Sequence, residues 1–114
     1  MPLLKIHTNQ TIDETLRAAL LKKASQTVAE QLGKPERYVM VALEADRPML
    51  FAGSDAPLAY LELKSIGLPI QATPKLSQAL CALMAEQLNL SQDRVYIEFA
   101  DAVPQMWGWN GATF

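Results

Sequence analysis

Ala29-Glu30-Gln31-Leu32 recurs letter for letter as Ala85-Glu86-Gln87-Leu88, 56 positions further along the chain. At the same offset Val39 falls on Val95 and Leu4 on Tyr60. The patterns around these matches agree as well. Leu3 to Thr8 and Ala59 to Lys64 read as strands, and each is followed by a long segment with apolar residues at helical spacing. Each half then closes on a second short strand, Tyr38 to Leu43 and Val95 to Phe99. The match implies a duplicated β-α-β unit. Such a crossover is long enough for parallel pairing and carries its helix to one side of the strands. The expected fold is therefore α/β: a single domain over residues 1–114, with pseudo-repeats at about 2–45 and 58–101. It has a four-stranded mixed sheet and two helices on one face.

Punctuation residues bound the elements. Thr11-Ile12-Asp13-Glu14 fits a capping box, threonine as the cap and glutamate three residues on. Leu16, Leu20, Ala24, Val28 and Leu32 then fall on one helix face, Gly33 suits the left-handed residue that ends a helix, and Pro35 prevents resumption. In the second half Thr73 reads as the cap and Pro74 as the first helical residue, with Leu76, Leu80, Leu83, Met84 and Leu88 as the apolar face. Between the halves, Met49-Leu50-Phe51 is a short apolar piece bounded by Pro48 and Gly53. With both helices on one side, the far side of the sheet is bare. Leu4, Ile6, Met40, Tyr60 and Tyr96 are expected there, costly to wet at about 25 cal/mol per Å². An oligomer whose sheets cover one another follows. The tail, with Met106-Trp107-Gly108-Trp109 and Phe114, is too aromatic for a free end.

Bulk properties exclude several classes. A chain of 114 residues with 50% hydrophobic and 19% charged residues has the balance of an ordinary globular domain. Its net charge of −2 argues against a nucleic-acid surface. No apolar run reaches the length of a membrane span, and Lys5 and His7 interrupt any signal-like segment, so a cytoplasmic protein is expected. The single cysteine, Cys81, sits in a helical pattern and reads as a small buried hydrophobe. His7 stands alone on a strand with no ligand at metal spacing, so no metal site is expected.

The chain starts Met1-Pro2, a good site for methionine removal. Removal leaves a proline whose ring nitrogen is a secondary amine. Burial or a nearby cation disfavours the protonated form and brings such an amine toward neutrality as a base.

These features together resemble the macrophage migration inhibitory factor family of the tautomerase superfamily, essentially end to end. The marks are the Met-Pro start, Gly33-Lys34-Pro35, Phe51-Ala52-Gly53-Ser54, Ser65-Ile66-Gly67, Asp93-Arg94-Val95-Tyr96-Ile97 and Gly108-Trp109-Asn110-Gly111-Ala112-Thr113-Phe114. The resemblance implies a homotrimer, with the sheets lining a central channel, and no cofactor. It implies keto–enol tautomerisation of α-keto acids such as phenylpyruvate, and of dopachrome derivatives. It assigns the proton shuttle to Pro2, the substrate carboxylate to Lys34, and a backbone donor to Ile66. Tyr96 is expected from a neighbouring subunit, and Trp109 and Phe114 in the pocket wall.

Two residues depart from the family pattern. Glu98 stands where vertebrate members carry asparagine, and Trp107 where a small aliphatic residue is usual. An ionised Glu98 would oppose an anionic substrate and raise the pKa of the proline amine. Trp107 would narrow the pocket mouth, so dopachrome-type substrates are expected to turn over weakly or not at all. The family's thiol redox chemistry is excluded, because Leu58-Ala59-Tyr60-Leu61 replaces the Cys-x-x-Cys pair. Two alternatives stand beside the tautomerase: a cytokine-like receptor-binding protein, and another reaction of the superfamily on the same proline, such as decarboxylation or hydrolytic dehalogenation.

Overall fold

A computed structural model describes residues 1–114. Strand β1 (Leu3–Thr8), helix α1 (Glu14–Leu32) and strand β2 (Met40–Glu44) make the first half. Strand β3 (Ala59–Ile66), helix α2 (Thr73–Leu88) and strand β4 (Val95–Ala102) make the second, and a small hairpin of β5 (Gly108–Trp109) and β6 (Ala112–Thr113) closes the chain. The sheet order is β2-β1-β3-β4. Each β-α-β unit supplies a parallel pair, and β1 joins β3 antiparallel at the centre. No helix is long and apolar enough to cross a membrane.

The match between the halves extends to the ends of the helices. Gly33 (φ 64°) and Asn89 (φ 55°) stand 56 residues apart, and both end their helix in the left-handed conformation. The single-turn 3-10 helices Glu36–Tyr38 and Gln92–Arg94 then lead into β2 and β4 at the same offset. Tyr38 therefore belongs to this turn, and β2 begins at Met40, two residues later than its sequence pattern predicts.

Strand alternation decides what is buried. Leu4, Ile6, Leu61 and Leu63 are inaccessible to solvent and meet Leu20, Ala24, Val28, Leu76, Leu80 and Met84 of the helices in one core. This corrects the expectation for Leu4 and Ile6, which point at the helices and not at the bare face. Lys5 and His7 alternate with them, and burying those polar groups unpaired would cost far more than the exchange could return. Met40, Tyr60 and Tyr96 do lie on the open face, which they share with several charged residues. There Lys5 Nζ lies 3.9 Å from Glu62, His7 Nε2 lies 3.2 Å from Glu44, and the Tyr60 hydroxyl donates to Glu62. The open face is thus a mixed surface with apolar points at Met40 and Tyr96.

Both predicted helix caps shift. Asp13 caps α1, its Oδ1 accepting the Leu16 amide at 2.8 Å, while the Thr11 hydroxyl donates to Asp46. Thr73 is the first residue of α2, and its hydroxyl donates back to the Ile70 carbonyl instead of capping. A lost side-chain cap costs about 1 kcal/mol. Asp13→Ala is therefore expected to lower the unfolding free energy by about that much in a urea titration, and Thr11→Ala by less than half of it. The reverse order would restore Thr11 as the cap.

Candidate functional site at the chain terminus

Gly33 places Lys34. In the left-handed conformation the glycine amide turns back to Glu30, and the Lys34 amide closes on the Ala29 carbonyl at 3.0 Å. Pro35 then holds the chain away from the helix axis. Lys34 is sent toward the end of β3, where its Nζ donates to Ser65 Oγ at 2.9 Å and to the Ile66 carbonyl at 2.6 Å. Ser65 is fully buried, so its hydroxyl is a fixed acceptor. An ammonium has three donors, and these bonds leave one free. Burial lowers the Lys34 pKa below the usual lysine value, and the charge of Asp101 works against that.

Pro2 lies beside this group. Its carbonyl accepts the Met40 amide at 3.0 Å, which fixes the terminus at the head of β1, and its side chain is fully buried. With Met1 attached the proline nitrogen is an amide. The terminal amine, on Met1, has its pKa lowered first by burial and then by the charge of Lys34.

The tail forms an aromatic wall. In the β5–β6 hairpin, Asn110 and Gly111 both take positive φ, as a two-residue turn demands. Trp109 stacks on Phe114 with centroids 5.5 Å apart, and both meet the Tyr38 ring edge-on at 5.8 and 6.2 Å. Arg37 lies over Tyr38 at 4.8 Å. Trp107, half-buried, accepts the Phe114 amide at 3.1 Å and so anchors the last residue.

Tyr96 and Glu98 are elsewhere. Tyr96 is level with Tyr60, and Glu98 with Glu62. Leu3 is level with Lys64, four residues along β3 from Tyr60, and Pro2 is one residue further out. At ~3.3 Å per residue Tyr96 is roughly 16 Å or more from Pro2 within one chain. Tyr96 instead packs on Phe51, centroids 4.5 Å apart, in the wall of an apolar cavity of about 420 Å³ that Met49, Leu50 and Tyr60 also line.

The family model for macrophage migration inhibitory factor matches residues 1–114. The chain belongs to the macrophage migration inhibitory factor family. It is 40% identical over 118 residues to a macrophage migration inhibitory factor homolog of Brugia malayi, covering 100% of this chain and 99% of that one. Against macrophage migration inhibitory factor of Mus musculus it is 36% identical over 115 residues, again with 100% and 99% covered. Among solved structures, the macrophage migration inhibitory factor homologue from Prochlorococcus marinus superposes with a TM-score of 0.92 at 40% identity, over 98% of both chains.

In this member of the family, then, Pro2, Lys34 and Ile66 gather at one end of the sheet, while Tyr96 lies toward the other and Glu98 midway along β4. The sequence reading missed Tyr38 and Arg37. Their one signal was an aromatic residue four positions beyond Lys34, which was absorbed into the strand pattern.

Arg94 sets the geometry around Tyr96. Its guanidinium donates to the carbonyls of Phe51 (2.7 Å), Ala56 (2.9 Å) and Ser54 (3.0 Å), and lies over the Phe51 ring at 5.1 Å. Those bonds hold a tight turn in which Ala52 and Gly53 both take positive φ. Arg94→Ala leaves the carbonyls to water and is expected to cost roughly 2 kcal/mol in chemical denaturation. The Phe51 and Ser54 amides, which pair across the turn, should lose hydrogen-exchange protection first. Unchanged protection there would show that the turn holds itself.

Proposed function

We propose that the chain is a tautomerase that interconverts the keto and enol forms of phenylpyruvate-like α-keto acids, with the Pro2 amine as acid and base once Met1 is removed. The observation that carries this reading is the position of Lys34. Its ammonium is pinned at the chain terminus with one donor to spare, next to an amine site where burial and a positive charge both favour the neutral base. A neutral secondary amine takes a proton from the carbon next to the carbonyl and returns it to the enolate oxygen, leaving amine and enzyme unchanged. A positioned general base of this kind supplies roughly 10²–10⁴ of acceleration.

In this reading Lys34 holds the substrate carboxylate, and the Ile66 backbone adds a donor as the strand ends. Trp109 and Phe114, stacked on each other and met edge-on by Tyr38, form the wall that an aromatic side chain of the substrate lies against, and Trp107 narrows the mouth. The separation of Tyr96 from Pro2 along the sheet supports a pocket that Tyr96, and Glu98 beside it on the same strand face, enter from a neighbouring copy. That arrangement supports a homotrimer in which each site lies between two subunits. A neighbour's Glu98 would set a carboxylate against the substrate's charge. With Trp107 it favours a slim aromatic keto acid over a dopachrome.

Two measurements test the reading. Chain whose intact mass shows loss of Met1 should turn over phenylpyruvate in an ultraviolet assay, faster than a dopachrome ester. Chain that keeps Met1 should not. Processed chain without phenylpyruvate turnover contradicts the proposal. Lys34→Gln should raise KM roughly 10- to 100-fold through the lost charge-assisted bond. It should also move the acid limb of the pH–rate profile to higher pH. The sign follows because the Lys34 charge lowers the amine pKa, and removing it lets that pKa rise. An acid limb that stays in place would remove Lys34 from the tuning of the amine.

A further inference from the structure

We propose that Ser65 and Asp101 are positioning residues for Lys34, and that together they make its ammonium a single aimed donor for one carboxylate oxygen of the substrate. This rests on the tautomerase reading and deepens it.

The geometry comes from the parallel register of β3 and β4, where Ser65 is paired with Asp101. Both residues continue the alternation of Leu61, Leu63 and Val95 on the helix side of the sheet, at the end where Lys34 descends from α1. Ser65 is the only buried serine, and its hydroxyl meets the Lys34 Nζ at 2.9 Å. The Ile66 carbonyl takes a second proton at 2.6 Å. With two of three donors fixed, the direction of the third is fixed too.

Asp101 does a different job. Its Oδ1 accepts the Leu68 amide at 2.9 Å, which holds the Ser65-Ile66-Gly67 turn against β4. Its charge favours the protonated Lys34 and so opposes the lowering of that pKa by burial. The groups around Lys34 are the terminal amine, which is a like charge, Asp101 from β4, and Glu36 and Arg37 in the turn that follows it. Arg37 is drawn away over Tyr38. Lys34 makes no ion pair within 4 Å, so no carboxylate occupies the donor left for substrate.

The test uses processed full-length chain and two variants. Asp101→Asn keeps an acceptor for the Leu68 amide and removes only the charge. It is expected to raise KM for phenylpyruvate severalfold at alkaline pH while leaving KM near pH 6 and kcat within about twofold, because loss of the carboxylate removes the charge that opposes burial at Lys34. Ser65→Ala frees the ammonium and is expected to raise KM about fivefold at both pH values, with kcat again little changed. Selective labelling of lysine side chains gives a readout independent of turnover: the Lys34 titration seen by NMR should move to lower pH in Asp101→Asn. A KM that rises equally at pH 6 and pH 9 in Asp101→Asn, with an unmoved Lys34 titration, would overturn the charge role and leave Asp101 a loop anchor. Unchanged KM in Ser65→Ala would overturn the aiming role. If wild-type processed chain turns over no keto acid yet the Lys34 titration moves to lower pH in Asp101→Asn, the functional reading fails while the placement of Asp101 stands.

Discussion

One hydrogen-bonded ammonium joins the two halves of this molecule at the place where chemistry is proposed. Lys34 leaves the end of α1 and binds Ser65 and Ile66 at the end of β3, more than thirty residues on in sequence. A buried hydroxyl and a strand-end carbonyl are acceptors that cost free energy if left unpaired, so Lys34 completes the fold as well as the site. The same bonds fix the one donor that remains. Gly33 makes this possible, since its left-handed conformation ends α1 and turns the chain toward the sheet. The charged head is thereby held without being neutralised.

The sheet sets the second constraint. One face of β1 and β3 carries Leu4, Ile6, Leu61 and Leu63 into the core, and the other carries Lys5, His7, Glu62 and Lys64. Because β1 and β3 run antiparallel, the head of β1 meets the tail of β3, which brings Pro2 to Ser65 and Ile66. The head of β3, with Tyr60 and the neighbouring Tyr96, is left at the far end with its own apolar cavity. Each copy thus has two unlike ends. One is cationic and aromatic, with Lys34, Arg37, Tyr38, Trp109 and Phe114. The other offers Tyr96 and the turn held by Arg94. In the proposed assembly these ends meet across a subunit boundary.

Much of the architecture was legible in the sequence because the repeated segment constrained both halves at once. Its offset located the strands and helices, and the structure extends it to Gly33 and Asn89. Other features were decided by residues distant in sequence. Thr11 and Asp13 are both good caps, and the choice went to Asp13 when Asp46 engaged Thr11. A period of two says that Leu4 and Lys5 face opposite ways, but the wrong face was assigned to Leu4 and Ile6. The cost of burying Lys5 and His7 would have settled it. Lys34 was legible through the family resemblance and its glycine. Ser65 and Asp101 acquire meaning only through a strand register, which no local pattern reveals.

The central claim is that the site is divided between chains, Pro2 and Lys34 from one and Tyr96 from another. The direct measurement is complementation. Processed Lys34→Ala and Tyr96→Ala chains, each weakly active alone, are unfolded together, refolded as mixed oligomers and assayed with phenylpyruvate. A divided site predicts recovered turnover, since some boundaries then join an intact Lys34 to an intact Tyr96. Mixed oligomers that form, as shown by native mass spectrometry, yet recover no activity beyond the separate variants would contradict the account.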